Sequence, residues 1–309
     1  MTELRDSLVS NRPPLISILL ILAVALMGFL VVGPMIGFML AQPFYEGESL
    51  MTDMIGGSVK GDASVPLLIV QGCVTFIGLI ALPMLYIRFS EFKPINRFFR
   101  EESNFPVKVG ILFLILVTFV FAISPITLWN QGLVFPEALK NLEDYLRGEE
   151  HRAAELTTMI TNFTSFGNFL LAVVVIGVFA GVGEEFVFRG LIQNELYRSS
   201  RNIHVAIWTS ALIFSAFHMQ FFGVFPRLLL GALLGYLYHW SGNLWVPIIT
   251  HFFNNALVLT AFYMKSLGKI EMNIDETSAP LSLVAGCAVA VFALLYFFKK
   301  QYSSSPENS

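Results

Sequence analysis

Eight apolar runs decide what this chain can fold into: 15–40, 66–88, 109–131, 166–188, 204–222, 226–241, 244–265 and 280–298. Most match or exceed the roughly 20 residues needed to cross a bilayer. The 226–241 run is the short one. Inside lipid every backbone N–H and C=O must find a partner within the protein, so such runs fold as helices. The expected fold is all-α, a polytopic membrane helix bundle of about eight transmembrane helices. Charged residues make up 13% of the chain and hydrophobic ones 55%. A soluble domain carries about 25% charged residues, so a soluble class is excluded. The net charge of −3 offers no basic surface for nucleic acid, and membrane lipid is the expected surrounding. Cys73 and Cys287 lie inside apolar runs and read as small packing residues.

Lys and Arg set the expected orientation. With the N-terminus in the cytoplasm, twelve of the 19 basic residues fall on that side and seven on the other. The excess places both termini in the cytoplasm. The run Leu15 to Leu40 exceeds the 7–15 apolar residues of a cleavable signal and is expected to stay as a signal anchor. Residues 1–14 read as a cytoplasmic tail and 15–165 as N-terminal spans with outer loops. Residues 166–265 hold the core, 266–302 the last span, and 303–309 a disordered tail. In the outer loop, Leu139, Leu142 and Leu146 recur at helical spacing among charges. That pattern predicts a surface helix lying on the membrane or capping the bundle.

Ionisable groups are costly at the bilayer centre, about 2.5–3.5 kcal/mol even on lenient scales. They concentrate in three spans here: Glu184, Glu185 and Arg189 in GVGEEFVFRG, His218 in the fifth, and His251 with Asn254 and Asn255 in the seventh. Residues four apart share a helix face. Glu185 and Arg189 can therefore pair with each other, which leaves Glu184 to face a cavity. His251 and Asn255 project together, as do Phe214 and His218. The other histidines read differently: His151 as solvated, His204 and His239 as interfacial. Arg227, just after Pro226, is expected to snorkel to the outer interface. For the Glu185–Arg189 pair, a structural role and a direct role in a site both stand.

These residues carry a resemblance. EEFVFRG fits the pattern EExxxR, FSAFH (Phe214 to His218) fits FxxxH, and HFFNN (His251 to Asn255) fits HxxxN; GNLWVPIITH runs into the third. In this order, on separate apolar helices, the set resembles the CPBP family across about Gly167 to Ala261. That family includes type II CAAX prenyl endopeptidases and bacteriocin-immunity-like bacterial membrane proteases. The resemblance implies an intramembrane endopeptidase in which Glu184 activates water, with His218, His251 and Asn255 in the site and Asn255 helping to hold the oxyanion. Glu185, Arg189 and Phe214 support it, Phe214 by packing. It implies membrane-bound or lipidated protein or peptide substrates, and a bacterial cytoplasmic membrane.

The chemistry is self-consistent. A carboxylate in a low-dielectric pocket is a better base near neutral pH, and an amide N–H or an imidazole can stabilise an oxyanion. No cofactor is required. Zinc held by Glu184, His218 and His251 is the alternative, since one carboxylate and two imidazoles form a hydrolytic zinc set, although no HExxH is present. Two other functions fit a buried polar cluster: a non-catalytic scaffold or immunity factor of the same fold, and a transporter, which internal repeats would favour and which this sequence lacks. The depths of Glu184, His218 and His251 along their spans agree if the fifth helix starts well above the membrane surface. A conical cavity open to the cytoplasm is expected to serve them.

Overall fold

The computed structural model describes residues 12–90, 94–100, 105–271 and 279–303. All regular structure among them is helical. Seven helices are long and apolar enough to cross a membrane: α1 (Pro14–Phe44), α2 (Ser64–Ser90), α3 (Pro106–Gln131), α5 (Phe166–Ser200), α7 (Phe221–Ser241), α8 (Trp245–Ser266) and α9 (Leu281–Tyr302). Two further helices bear on the site, α4 (Lys140–Ile160) and the apolar α6 (Ile203–Phe217). The chain is thus an integral membrane protein. The expected tails lie outside the described residues, apart from 12–14 at one end and Ser303, which closes the last helix, at the other.

The eight apolar runs all become helices, but their lengths differ from expectation. The short one is α6. Its 15 residues span about 22 Å at 1.5 Å per residue, less than the ~30 Å hydrocarbon core. The run expected to be short gains a 3-10 turn at Phe221–Gly223 and reaches 21 residues. The fourth run, read as ending at residue 188, continues to Ser200. The polar residues that close its apolar stretch find partners inside the bundle: Arg189 on the Gly231 carbonyl, Gln193 on Gly235, and Asn194 on Gly190.

Helices pack in antiparallel pairs, α1 on α2, α3 on α9 and α6 on α7. Between α1 and α2 the backbones nearly touch. A Cβ on Gly28 would stand 2.6 Å from the Gly78 Cα, and one on Gly33 would stand 2.6 Å from the Val74 Cα. With no hydrophobic drive between helices in lipid, such close approach is what van der Waals packing requires.

The bundle has two distinct ends. At the first, Arg12 donates to the Tyr86 hydroxyl, Arg198 to the Arg12 carbonyl, and the Leu244 N–H to the Phe98 carbonyl; Lys108 lies 4.8 Å from the Tyr302 ring centre. Both the start of α1 and the end of α9 lie here. At the second, the Asn130 side chain accepts from the Phe225 N–H and donates to the Phe221 carbonyl. Thr164 donates to Asp62, and the Arg147 guanidinium lies 4.2 Å from the Phe222 ring centre.

The amphipathic loop helix forms as expected and crosses the second end, but it docks through a different face. Leu139 and Leu142 are exposed, while Glu143, at 2% exposure, and Ile160 turn inward. The Glu143 carboxylate accepts from the Phe135 N–H at 3.0 Å and from Arg147 Nε at 2.8 Å. The Phe135 N–H first, then Arg147, holds this carboxyl below the ordinary carboxylate value. The ionised form therefore stabilises the docked helix above the unfolded value of about 4.5, and that stabilisation is lost as pH falls through the lower folded value. Acidification is expected to speed amide exchange over residues 133–147, after correction for its intrinsic pH dependence, before the spans loosen. In Glu143→Gln the segment should exchange faster at neutral pH and show no such step.

Candidate active site

The site is built around one long helix with two widened turns. In α5, π-helical stretches at Val173–Phe179 and Phe186–Ile192 bracket the α-helical turn Ala180–Glu185. Such bulges recur where a helix must re-aim side chains. Gly183 brings this turn against α2, since a Cβ there would lie 2.7 Å from the Leu79 Cβ. Gly181 brings it against α8, with the Phe252 nitrogen 3.5 Å from where its Cβ would be. Any larger residue at 183 would push α5 away from α2.

Glu185 is fully buried and Arg189 is 1% exposed. Arg189 Nη1 donates to Glu185 Oε1 at 2.6 Å, and Nη2 donates to the Gly231 carbonyl at 3.0 Å. The guanidinium also lies 4.5 Å from the Phe214 ring centre. The same Glu185 oxygen meets His251 Nδ1 at 2.7 Å. Arg189, Glu185 and His251 therefore form one buried chain across α5 and α8, tied to α7 at the Gly231 carbonyl. Removing one member of such a buried ionic chain costs on the order of 3–5 kcal/mol, because a charge is left unpaired.

The two imidazoles are pinned in the same way. His251 Nδ1 faces a carboxylate, and His218 Nδ1 lies 3.0 Å from the Phe214 carbonyl. A carboxylate and a carbonyl both accept, so each Nδ1 carries its proton and each ring turns Nε2 inward. Both Nε2 atoms stand 3.9 Å from one atom, Glu184 Oε2. That oxygen is buried with no hydrogen-bond partner among the described residues. At 3.9 Å a direct hydrogen bond is excluded, whereas two hydrogen bonds of about 2.8 Å meeting on one oxygen span such a gap. Phe214 fills the wedge between the imidazoles, its ring centre 5.0 Å from that of His218 and 6.0 Å from that of His251.

The structure thus brings Glu184, His218 and His251 to one point and makes Phe214 their packing core. Glu185 and Arg189 pair as their spacing predicts. Asn255 lies one turn beyond His251 on α8. Its Nδ2 donates to the Ile176 carbonyl at 2.8 Å, within the first π stretch of α5, and its Oδ1 accepts from Asn254. Ile176 takes one of its two amide protons, and the other remains available. The Glu185–His251 bond was not legible from spacing, because it depends on how α8 seats against α5. Arg227 reaches back toward the second end of the bundle, over the turn after His218, with Nη1 donating to Gln220 Oε1 at 2.8 Å and Nη2 to the Gln220 carbonyl at 2.5 Å. That turn includes Met219 in the left-handed region at φ 55°.

The depth question resolves through helix length. Glu184 lies sixteen residues before Ser200, the end of α5, and His218 lies fifteen after Ile203, the start of α6. The two are level across an antiparallel pair. The turn joining them is about 24 Å away along the axis, so α6 starts far from the site.

Two donors about 2.05 Å from a tetrahedral zinc stand about 3.3 Å apart, whereas both carboxylate–imidazole separations are 3.9 Å. Among the described residues no group of three His, Cys, Asp or Glu side chains is arranged to hold a metal ion.

His218 also lines a cavity of about 450 Å³ that opens between the loop at residues 54–59, α4 and residues 219–220. This is the second end of the bundle, opposite the start of α1 and the end of α9. An opening on the same side as the termini was expected, and the geometry separates the two, because α6 runs from the first end to the second. In a variant lacking Cys73 and Cys287, cysteines introduced at Met219 and Lys300 are expected to react with a membrane-impermeant maleimide from opposite faces of the membrane. Reaction from the same face would overturn this placement.

Residues 166–257 match the family model described as Type II CAAX prenyl endopeptidase Rce1-like. The matched stretch contains all three motifs, and the resemblance read from them is borne out there. Among curated proteins, uncharacterized protein YpbD of Bacillus subtilis (strain 168) is 35% identical over 78 residues, covering 24% of this chain and 36% of that protein. The chain therefore spans about a third of the length of the curated relative it matches. No solved structure matches.

Proposed function

We propose that this chain, whose residues 166–257 match the Rce1-like family model, is an intramembrane endopeptidase acting on membrane-associated protein or peptide substrates. The observation that carries the reading is the convergence of two Nδ1-anchored imidazoles, each 3.9 Å away, on the unpartnered Oε2 of Glu184.

In this reading a water bridges Glu184 and His218. Glu184 takes one water proton as the oxygen adds to the scissile carbonyl carbon. His251 and Asn255 donate to the developing oxyanion. The C–N bond then breaks as Glu184 returns its proton to the leaving amine, so the base is regenerated. In this reading His251 donates through Nε2 as an imidazolium while its Nδ1–H is held by Glu185. Glu185 acts through His251, fixing its ring, and Arg189 in turn holds Glu185.

The reading is metal-free. It is supported by donor separations wider than a zinc tetrahedron and by a carboxylate placed to act as a base.

Purified protein can be challenged with a library of peptides, each tethered to one transmembrane helix. Glu184→Gln, which keeps shape and removes the base, is expected to lower cleavage at least 10³-fold with an unchanged thermal melt. Asn255→Ala should lose about 10²–10³-fold, the usual cost of one oxyanion donor. Cleavage retained in Glu184→Gln would eliminate the base. Activity is also expected to survive chelation with substoichiometric zinc by elemental analysis; loss on chelation that zinc restores would instead assign Glu184, His218 and His251 as metal ligands.

A further inference from the structure

Two carboxamides stand side by side in the middle of α8, and only the second, Asn255, falls on a motif position. Both are half-buried. A further amide in an apolar span needs a reason, because a polar group taken out of water without a partner costs free energy. Asn254 directs its Nδ2 at its neighbour, donating to Asn255 Oδ1 at 3.2 Å. Asn255 in turn donates from Nδ2 to the Ile176 carbonyl at 2.8 Å.

The first widened stretch of α5 puts that carbonyl on offer. In a regular α-helix the Ala180 N–H would close on the carbonyl four residues back, at Ile176. Here it reaches the Val175 and Gly177 carbonyls instead. The π stretch thus takes the Ala180 N–H off the Ile176 carbonyl, and a side chain from another helix binds there. Glycine lets that helix come close enough. A Cβ on Gly177 would stand 3.2 Å from the Phe252 ring, and one on Gly181 would stand 3.5 Å from the Phe252 nitrogen. Single π turns of this kind recur at functional sites.

Together the two contacts fix which way the Asn255 amide faces. Turned over by 180°, it would set Oδ1 against the Ile176 carbonyl, acceptor on acceptor, and Nδ2 against Asn254 Nδ2, donor on donor. Ile176 and Asn254 therefore reject the same alternative from the two ends of the group. Ile176 uses one Asn255 amide proton, and the other is left with a single direction. A donor that stabilises developing charge has to be preorganised in this way.

We infer that Asn254 is a positioning residue for the hydrolysis: it holds the Asn255 carboxamide in the orientation that presents its remaining N–H to the oxyanion. The inference rests on the peptidase reading above, in which Asn255 is that donor. On this assignment Asn254 touches neither the water nor the scissile bond and acts only through Asn255.

The test uses full-length protein and a tethered peptide that the wild type cuts. Asn254→Leu keeps a branched shape and removes the donor, and Asn254→Gln keeps an amide donor on a longer arm. Asn254→Leu is expected to lower kcat about tenfold, part of the 10²–10³-fold cost of losing an oxyanion donor outright. KM should stay within about twofold of wild type, as for an interaction made in the transition state. Asn254→Gln should fall between Asn254→Leu and wild type. The deciding measurement is Asn254→Leu in the Asn255→Ala background. There it should change kcat less than about twofold, because no amide is left to position. Losses that multiply would give Asn254 a role of its own and overturn the inference. So would a raised KM at unchanged kcat, or wild-type kcat in Asn254→Leu. Asn254→Ala is measured beside it, and whichever of the two keeps the wild-type melt decides; if neither does, Asn254 is structural and the inference falls. Cleavage by the wild type that Glu184→Gln abolishes upholds the peptidase reading whatever Asn254 shows. A wild type that cuts no peptide removes that reading, and this inference with it.

Discussion

A guanidinium sealed inside a lipid-embedded bundle is the constraint around which this structure is organised. Arg189 cannot stay buried without compensation, and compensation comes from three directions: the Glu185 carboxylate, the Gly231 carbonyl and the face of Phe214. Each belongs to a different helix, so α5, α6 and α7 are fixed in register by one side chain. Glu185 extends the chain to α8 through His251. The polar groups that make the interior expensive are the same ones that align its helices. This suits a medium in which apolar surfaces gain little by meeting one another.

Much of the site could be read from residue spacing alone. Four-residue separations placed Glu185 with Arg189 and Phe214 with His218, and left Glu184 on another face, as the structure also has it. What spacing could not supply were relations between helices. The Glu185–His251 contact depends on Gly181 and Gly183 letting α5 sit between α2 and α8. The Asn255–Ile176 bond depends on a carbonyl within a π stretch. Neither a seat between helices nor a widened turn leaves a mark in hydropathy.

The fold was legible to a similar depth. Apolar runs identified the helices, but helix ends were misjudged wherever polar residues have buried partners. α5 looked as if it stopped at 188 because Arg189, Gln193 and Asn194 read as a surface, and each proved to have an internal acceptor. The same blindness affected α4. Its leucine stripe suggested the docking face, whereas its first half docks through an acid satisfied by a backbone N–H and an arginine, and its last turns through Leu156 and Ile160. The side on which the cavity opens followed from where α6 ends, which hydropathy had placed several residues too late.

The widened turns of α5 carry a consequence for how chains of this kind are compared. A π stretch accommodates about one extra residue without lengthening the hydrogen-bonded rod by a full turn. Since each residue of an α-helix advances about 100°, losing that residue would swing everything beyond it by more than a quarter of a circle. Arg198 and Glu195, which anchor the far end near Arg12, would then face elsewhere. A one-residue gap in this helix between two relatives is therefore a rotation of half a helix, and it separates sequences that a percentage identity would count as close.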